Sequence, residues 1–271
     1  MMVLLALTAC AAAAATSVWP PPQSISTEGA PLALSPDFAI FSSHSSARLA
    51  AAIARHAVRI APHPARAANA ANAANAPQLR MLQIEIAPGA TEHLGIETKY
   101  DYTLTVHSGS GSGSGNSSGD GSGDGSGDGA ATAVATASTI YGAMYALETF
   151  AQLVDTERGE LAASSVRIAD HPDHTWRGLL LDAGRRFAQL PLLENLIDTM
   201  AAVKLNVLHL HVTDFCRFGV ESLLFPKLTA AIADGPDAGF YSQEDVRALI
   251  AYGGDRGVRI VPEFEMPGHG A

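Results

Sequence analysis

The chain has 271 residues and a formal net charge of −10, from 27 Asp and Glu against 17 Lys and Arg. That balance argues against a nucleic-acid partner, which needs a basic stripe, and no run of like charges marks an interaction tail. The length is enough for one or two globular domains with a sizeable core, although much of the 47% hydrophobic content is alanine, which buries little area.

Met2 to Ala15 is a short apolar run ending in small residues, followed by Trp19-Pro20-Pro21-Pro22. It reads as a secretory signal over residues 1–22, although no Lys or Arg precedes it. It is shorter than the ~20 apolar residues of a bilayer span, and no other segment is long enough, so no membrane span is expected. Leu7-Thr8-Ala9-Cys10 carries a minor alternative, a lipoprotein anchor at Cys10. Cys216 is then the one cysteine of the mature chain and reads as a small buried hydrophobe without a catalytic role.

Leu49, Ile53, His56 and Ile60 recur at helical spacing. An Ala/Asn tract covers 65–76, and a Gly/Ser/Asp tract covers 108–129, a surface insertion that cannot bury apolar surface. Asn116-Ser117-Ser118 within it fits the glycosylation pattern. Met81 to Ile86 and Tyr100 to Val106 alternate as strands, and Ser138 to Val154 has helical periodicity. Together these predict a small α+β domain over 37–168.

From 172 to 271 the pattern changes. Gly178 to Asp182 reads as a strand, Pro191 opens a helix through about Lys204, and Leu205 to Thr213 is a second strand. Ser242 caps a helix that Gly257 ends, and Val258 to Phe264 is a third strand. Strands alternating with helices predict a parallel sheet, with polar residues gathered after each strand.

Several ordered blocks carry a resemblance. Trp176-Arg177-Gly178-Leu-Leu-Leu-Asp182 with Arg185 and Phe187, the segment Lys204 to Asp214, and Arg256 to His269 resemble the first three barrel strands of glycoside hydrolase family 20 β-N-acetylhexosaminidases. Tyr102 to Val106 and Ser138 to Leu153 resemble the small domain that precedes that barrel. The resemblance implies an α/β fold: a small N-terminal α+β domain, then the first three strands of an incomplete (β/α)8 TIM barrel.

It also implies substrate-assisted retaining hydrolysis of terminal N-acetyl-β-D-hexosamines, in which the substrate's acetamido oxygen attacks the anomeric carbon. A glutamic acid protonates the leaving oxygen and the preceding aspartate orients the acetamido group. No adjacent Asp-Glu pair occurs between Trp176 and Ala271, so the isolated chain is expected to be inactive. What remains by resemblance is a supporting shell. Asp214 and His269 form a relay that tunes the acid, Arg177 binds sugar hydroxyls, and His211 adds polar contacts near the mouth of the second strand.

Glu263 and Glu265 alternate along the third strand and are expected to make structural hydrogen bonds. Phe215, Gly219, Asp173, Arg186 and Glu265 depart from the family pattern, which puts the loop after the second strand in doubt. No cofactor or metal is implied. The expected substrate is a glycan or chitooligosaccharide ending in N-acetylglucosamine or N-acetylgalactosamine, handled in the lysosome or outside the cell, with a homodimer expected at full length. Two alternatives stand beside this. One is a truncated, non-catalytic sugar-binding or partner-dependent protein with three of eight barrel strands. The other is a zinc-dependent amidohydrolase built on His209 and His211, two histidines at i and i+2 on one strand face.

Overall fold

The computed structural model describes residues 18–61, 77–108, 131–215, 217–230, 232 and 238–269. The apolar run with Cys10, the Ala/Asn tract, nearly all of the glycine-rich tract with Asn116, and Cys216 lie outside the described residues.

The first half is built on strands β1 (Ser24–Glu28) and β2 (Leu32–Ser42), helix α1 (Ala47–Ile60), and strands β3 (Gln78–Ile86), β4 (Tyr102–His107) and β5 (Ala131–Ala137). Helix α2 (Ile140–Leu153) and strands β6 (Val154–Asp155), β7 (Glu160–Leu161) and β8 (Ser165–Asp170) complete it. All eight strands form one mixed sheet in the order β1-β8-β4-β5-β3-β2-β7-β6, parallel where β3 meets β2 and β5.

The sheet starts upstream of the expected boundary at 37, because β1 and the start of β2 precede it. Every residue of β1 is exposed, so this edge strand carries no alternation to read. β5 went unpredicted for a related reason. Its inward face is Ala131, Ala133, Ala135 and Ala137, all buried, and alanine gives a weak strand signal. The small side chains leave room for α2, which is buried at 12 of its 14 residues. A helix apolar on all sides fits between layers. Here α1 and the sheet lie against it, and Tyr145 reaches the second half of the chain, its hydroxyl donating to the Lys204 carbonyl at 2.8 Å.

The second half has strand β9 (Gly178–Asp182), helix α3 (Leu190–Ala202), strand β10 (Val207–His211), the short pair β11 (Thr213–Asp214) and β12 (Arg217–Phe218), helices α4 (Lys227–Ala230) and α5 (Gln243–Gly254), and strand β13 (Arg259–Glu263). β9, β10 and β13 form a three-stranded sheet with β10 in the centre, parallel to both neighbours. The chain therefore has an α/β fold. Ser242 caps α5 through a capping box with Asp245, and Gly257 follows it with φ +73, a backbone state open to glycine.

Leu208 and Leu210 of β10 face a second hydrophobic cluster with Leu193, Ile197 and Leu249 of α3 and α5. Alternation then sends Val207, His209 and His211 to the other face. Among the described residues, no helix is long and apolar enough to cross a membrane.

Candidate active site

In-register pairing brings Asp182 at the end of β9, His211 at the end of β10 and Glu263 at the end of β13 to one end of the sheet. The turn after β9 stays close to β10, with Ala183 and Gly184 N–H both donating to the His211 carbonyl at 2.9 and 2.8 Å. A Cβ on Gly184 would lie 2.9 Å from the Thr213 carbonyl oxygen, so the close approach requires glycine. Arg185 follows and is aimed across the strand ends.

Three of the four expected site residues meet at this end. His269 Nδ1 lies 3.2 Å from Asp214 Oδ2, and the Asp214 carboxylate is fully buried. His211 Nδ1 faces Asp182 Oδ1 at 3.2 Å, and its Nε2 faces Glu265 Oε2 at 3.4 Å. The two imidazole rings meet edge to face at 5.9 Å. His269 has φ +52, a left-handed state that histidine tolerates better than most residues.

Arg177 stands apart from the other three. It precedes β9, so it sits at the amino end of a strand about 15 Å long, opposite the other three. Its guanidinium is spent on the protein: Nε donates to the Lys204 carbonyl at 2.9 Å, one terminal nitrogen to His174 O at 2.6 Å, and the other to the Tyr145 hydroxyl at 2.7 Å. It also lies 4.8 Å over the Tyr100 ring.

The arginine at the strand ends is Arg185. It bonds Asp182 Oδ2 at 2.6 Å and Asp214 Oδ2 at 3.1 Å, and its side chain is 55% exposed. The signal for it was its position just past a strand's carboxyl end, three residues after Asp182.

The charges here are tuned by these contacts. Burial alone would raise the Asp214 carboxyl, but hydrogen bonds from His269 and the Phe215 N–H, with the Arg185 charge, hold it below the usual carboxylate range. Asp182 is likewise held down, against burial, by the Arg185 N–H and guanidinium and by His211. Asp214 is thus an anion beside an imidazole, the arrangement that stabilises an imidazolium during proton transfer.

His209 and His211 share a strand face but part company. His209 Nε2 pairs with Glu263 Oε2 at 2.7 Å, away from the contacts of His211. This separation disfavours the amidohydrolase alternative, which needs both histidines on one ion. Glu263 has the structural bond expected of it, whereas Glu265 faces the site, held by its N–H bond to Thr213 Oγ1 at 2.9 Å.

The sequence matches the family model "Glycosyl hydrolase family 20, catalytic domain" over residues 174–271 and the model "beta-acetyl hexosaminidase like" over residues 18–153. The chain belongs to glycoside hydrolase family 20, the β-N-acetylhexosaminidases. It is 40% identical over 136 residues to beta-hexosaminidase subunit A2 of Dictyostelium discoideum, covering 49% of this chain and 25% of that protein. Against the beta-hexosaminidase subunit alpha of Bos taurus it is 28% identical over 280 residues, covering 98% of this chain and 48% of that one. A chitobiase from Flavobacterium johnsoniae superposes with a TM-score of 0.69 at 26% identity, covering 93% of this chain and 35% of that structure. The family 20 chain therefore spans between a quarter and a half of the length of these curated relatives.

Proposed function

We propose that the protein carrying this chain is a β-N-acetylhexosaminidase that removes terminal non-reducing N-acetylglucosamine or N-acetylgalactosamine from glycans or chitooligosaccharides. The observation that carries this reading is the buried Asp214 carboxylate 3.2 Å from His269 and 3.1 Å from Arg185, at the carboxyl ends of parallel strands in a family 20 chain. In this reading β9, β10 and β13 open a (β/α)8 barrel, behind an N-terminal α+β domain within 37–168 extended upstream by β1 and β2. The protein is routed to the lysosome or secreted, with 1–22 as its signal.

The substrate's 2-acetamido oxygen attacks the anomeric carbon while a glutamic acid protonates the leaving oxygen. His269 sits between that acid and Asp214 and relays charge between them. Arg185, rather than Arg177, offers its rigid fork of donors to neighbouring sugar hydroxyls. His211 holds Asp182, which in turn holds Arg185. The sequence contains no adjacent Asp-Glu pair, so the acid and the acetamido-orienting aspartate lie outside these 271 residues, and the chain alone gives no turnover.

The test is hydrolysis of a chromogenic aryl N-acetyl-β-glucosaminide by the natural protein. Asp214→Asn and His269→Ala are expected to lower kcat by about 10²-fold, the scale of assisted proton transfer, and to move the acidic limb of the pH profile. Unchanged kcat and profile in both variants would remove the relay. Measurable turnover by the 271-residue chain would show that it contains its own proton donor.

A further inference from the structure

We propose that His211, Glu265 and His269 form a binding site for a divalent transition metal, Zn2+ being the ion of best fit. The hydrogen bonds within this cluster fit poorly. Glu265 Oε2 faces two ring nitrogens at once, His211 Nε2 at 3.4 Å and His269 Nδ1 at 3.6 Å. Both distances exceed the 2.7–3.2 Å of a good N–H···O bond. They match the edge of a tetrahedron, since ligands about 2.05 Å from zinc sit about 3.4 Å apart. All three ligand atoms lie within 4.8 Å of one another.

The surroundings favour the same ion. The opposite nitrogen of His211, Nδ1, faces Asp182 Oδ1 at 3.2 Å, the carboxylate contact that orients a metal-bound imidazole and leaves Nε2 for the ion. Two imidazoles and one carboxylate suit zinc better than calcium or magnesium, which take oxygen ligands. Asp182 and Asp214 hold the Arg185 guanidinium between them, and Glu265 adds a third carboxylate beside His269, so these four side chains together carry negative charge for a dication to offset.

The opposing feature is Arg185, with a terminal nitrogen 3.4 Å from His269 Nδ1. Its side chain is largely exposed, and the ion takes its place beside Asp214. Metal and arginine therefore exclude each other. On the reading of function above, zinc would inhibit the enzyme by taking His269 from the relay and displacing the sugar-binding arginine. The site itself does not rest on that reading.

Binding is measured with metal-free natural protein and ZnCl2 by calorimetry, and with Co2+ by its visible absorption, without any sugar. One equivalent is expected to bind. Glu265→Gln, at a half-buried position, and His269→Ala, at an exposed one, abolish saturable binding, and Asp182→Asn weakens it about 10–100-fold. His209→Ala retains it. Absence of saturable binding below millimolar metal would overturn the site, as would binding that survives both Glu265→Gln and His269→Ala, or that is lost in His209→Ala. A protein that binds zinc there but hydrolyses no hexosaminide would overturn the functional reading and leave the site standing.

Discussion

Arg177 and Arg185 have the same chemistry and lie on either side of the same strand, yet their surroundings assign them different work. Arg177 makes three hydrogen bonds within the protein and stacks over Tyr100, so it holds the two halves of the chain together. Arg177→Ala is expected to cost about 2–4 kcal/mol of stability, since bonds from a charged donor are worth about 1.5–3 kcal/mol each and are not additive. Its KM for an aryl N-acetylglucosaminide should stay unchanged. Arg185→Ala should raise KM by roughly tenfold or more, the loss of about 1.4 kcal/mol of sugar contact. Denaturant unfolding and steady-state kinetics on both variants check this, and a KM effect at Arg177 alone would reverse the assignment. The sequence motif held both arginines, and only strand direction separates them. Parallel strands put their functional side chains at the carboxyl end, which favours Arg185, three residues after Asp182, as the sugar contact. By contrast, the meeting of Asp214 with His269 was legible from resemblance, and the turn of Glu265 toward the site was not. The strand stops at Glu263, so alternation no longer governs Glu265.

At the scale of elements, what could be read was what periodicity encodes. Helices α1, α2, α3 and α5 and strands β3, β4, β9, β10 and β13 were all placed within a few residues. β1, β2, β5 and β8 were not; alanine on β5 and full exposure on β1 erase the apolar pattern there. The contact between α1 and α2 could not be read at all. Arg59 and His56 of α1 converge there on Glu148 of α2, with Arg59 at 2.5 and 3.0 Å and His56 at 3.4 Å. Burial would raise the Glu148 carboxyl, but these partners and Gln152 bring it down to about 2 from 4.5. A depressed carboxylate stabilises the fold above its unfolded pKa and loses that contribution as pH falls through the folded one. Stability from Glu148 is thus full above about pH 4.5 and disappears toward pH 2, roughly 3 kcal/mol in all. Urea unfolding of the wild type and of Glu148→Gln at pH 6, 4 and 3 isolates it. The wild type should lose more stability than the variant across that range, and parallel curves would remove the pair from the account.

Across the whole molecule, the two halves meet through a polar knot rather than through apolar surface alone. Lys204 is buried in a left-handed backbone state with φ +59, and its Nζ donates to the Tyr102 hydroxyl at 2.9 Å and to Asp170 Oδ2 at 2.8 Å. Its carbonyl accepts from Tyr145 and Arg177, so one residue after α3 gathers contacts from β4, α2, β8 and the approach to β9. Burial lowers the Lys204 pKa, and the Asp170 carboxylate opposes that shift. A buried ion pair is weak evidence of net stability, because the desolvation of two charges offsets much of their attraction. Removing one partner is another matter, since it strands the remaining charge. Lys204→Met should therefore cost about 3–5 kcal/mol, while Lys204→Met with Asp170→Asn should recover a large part of that loss. Thermal or denaturant unfolding of the single and double variants measures the coupling. Recovery in the double variant would mean that the pair fixes how the sheet of β1 to β8 seats against β9, while its net contribution to stability is small. Equal losses in both variants would mean that the lysine acts through its stem and backbone, and that Asp170 takes no part in seating the strands that carry Asp182, His211 and Asp214.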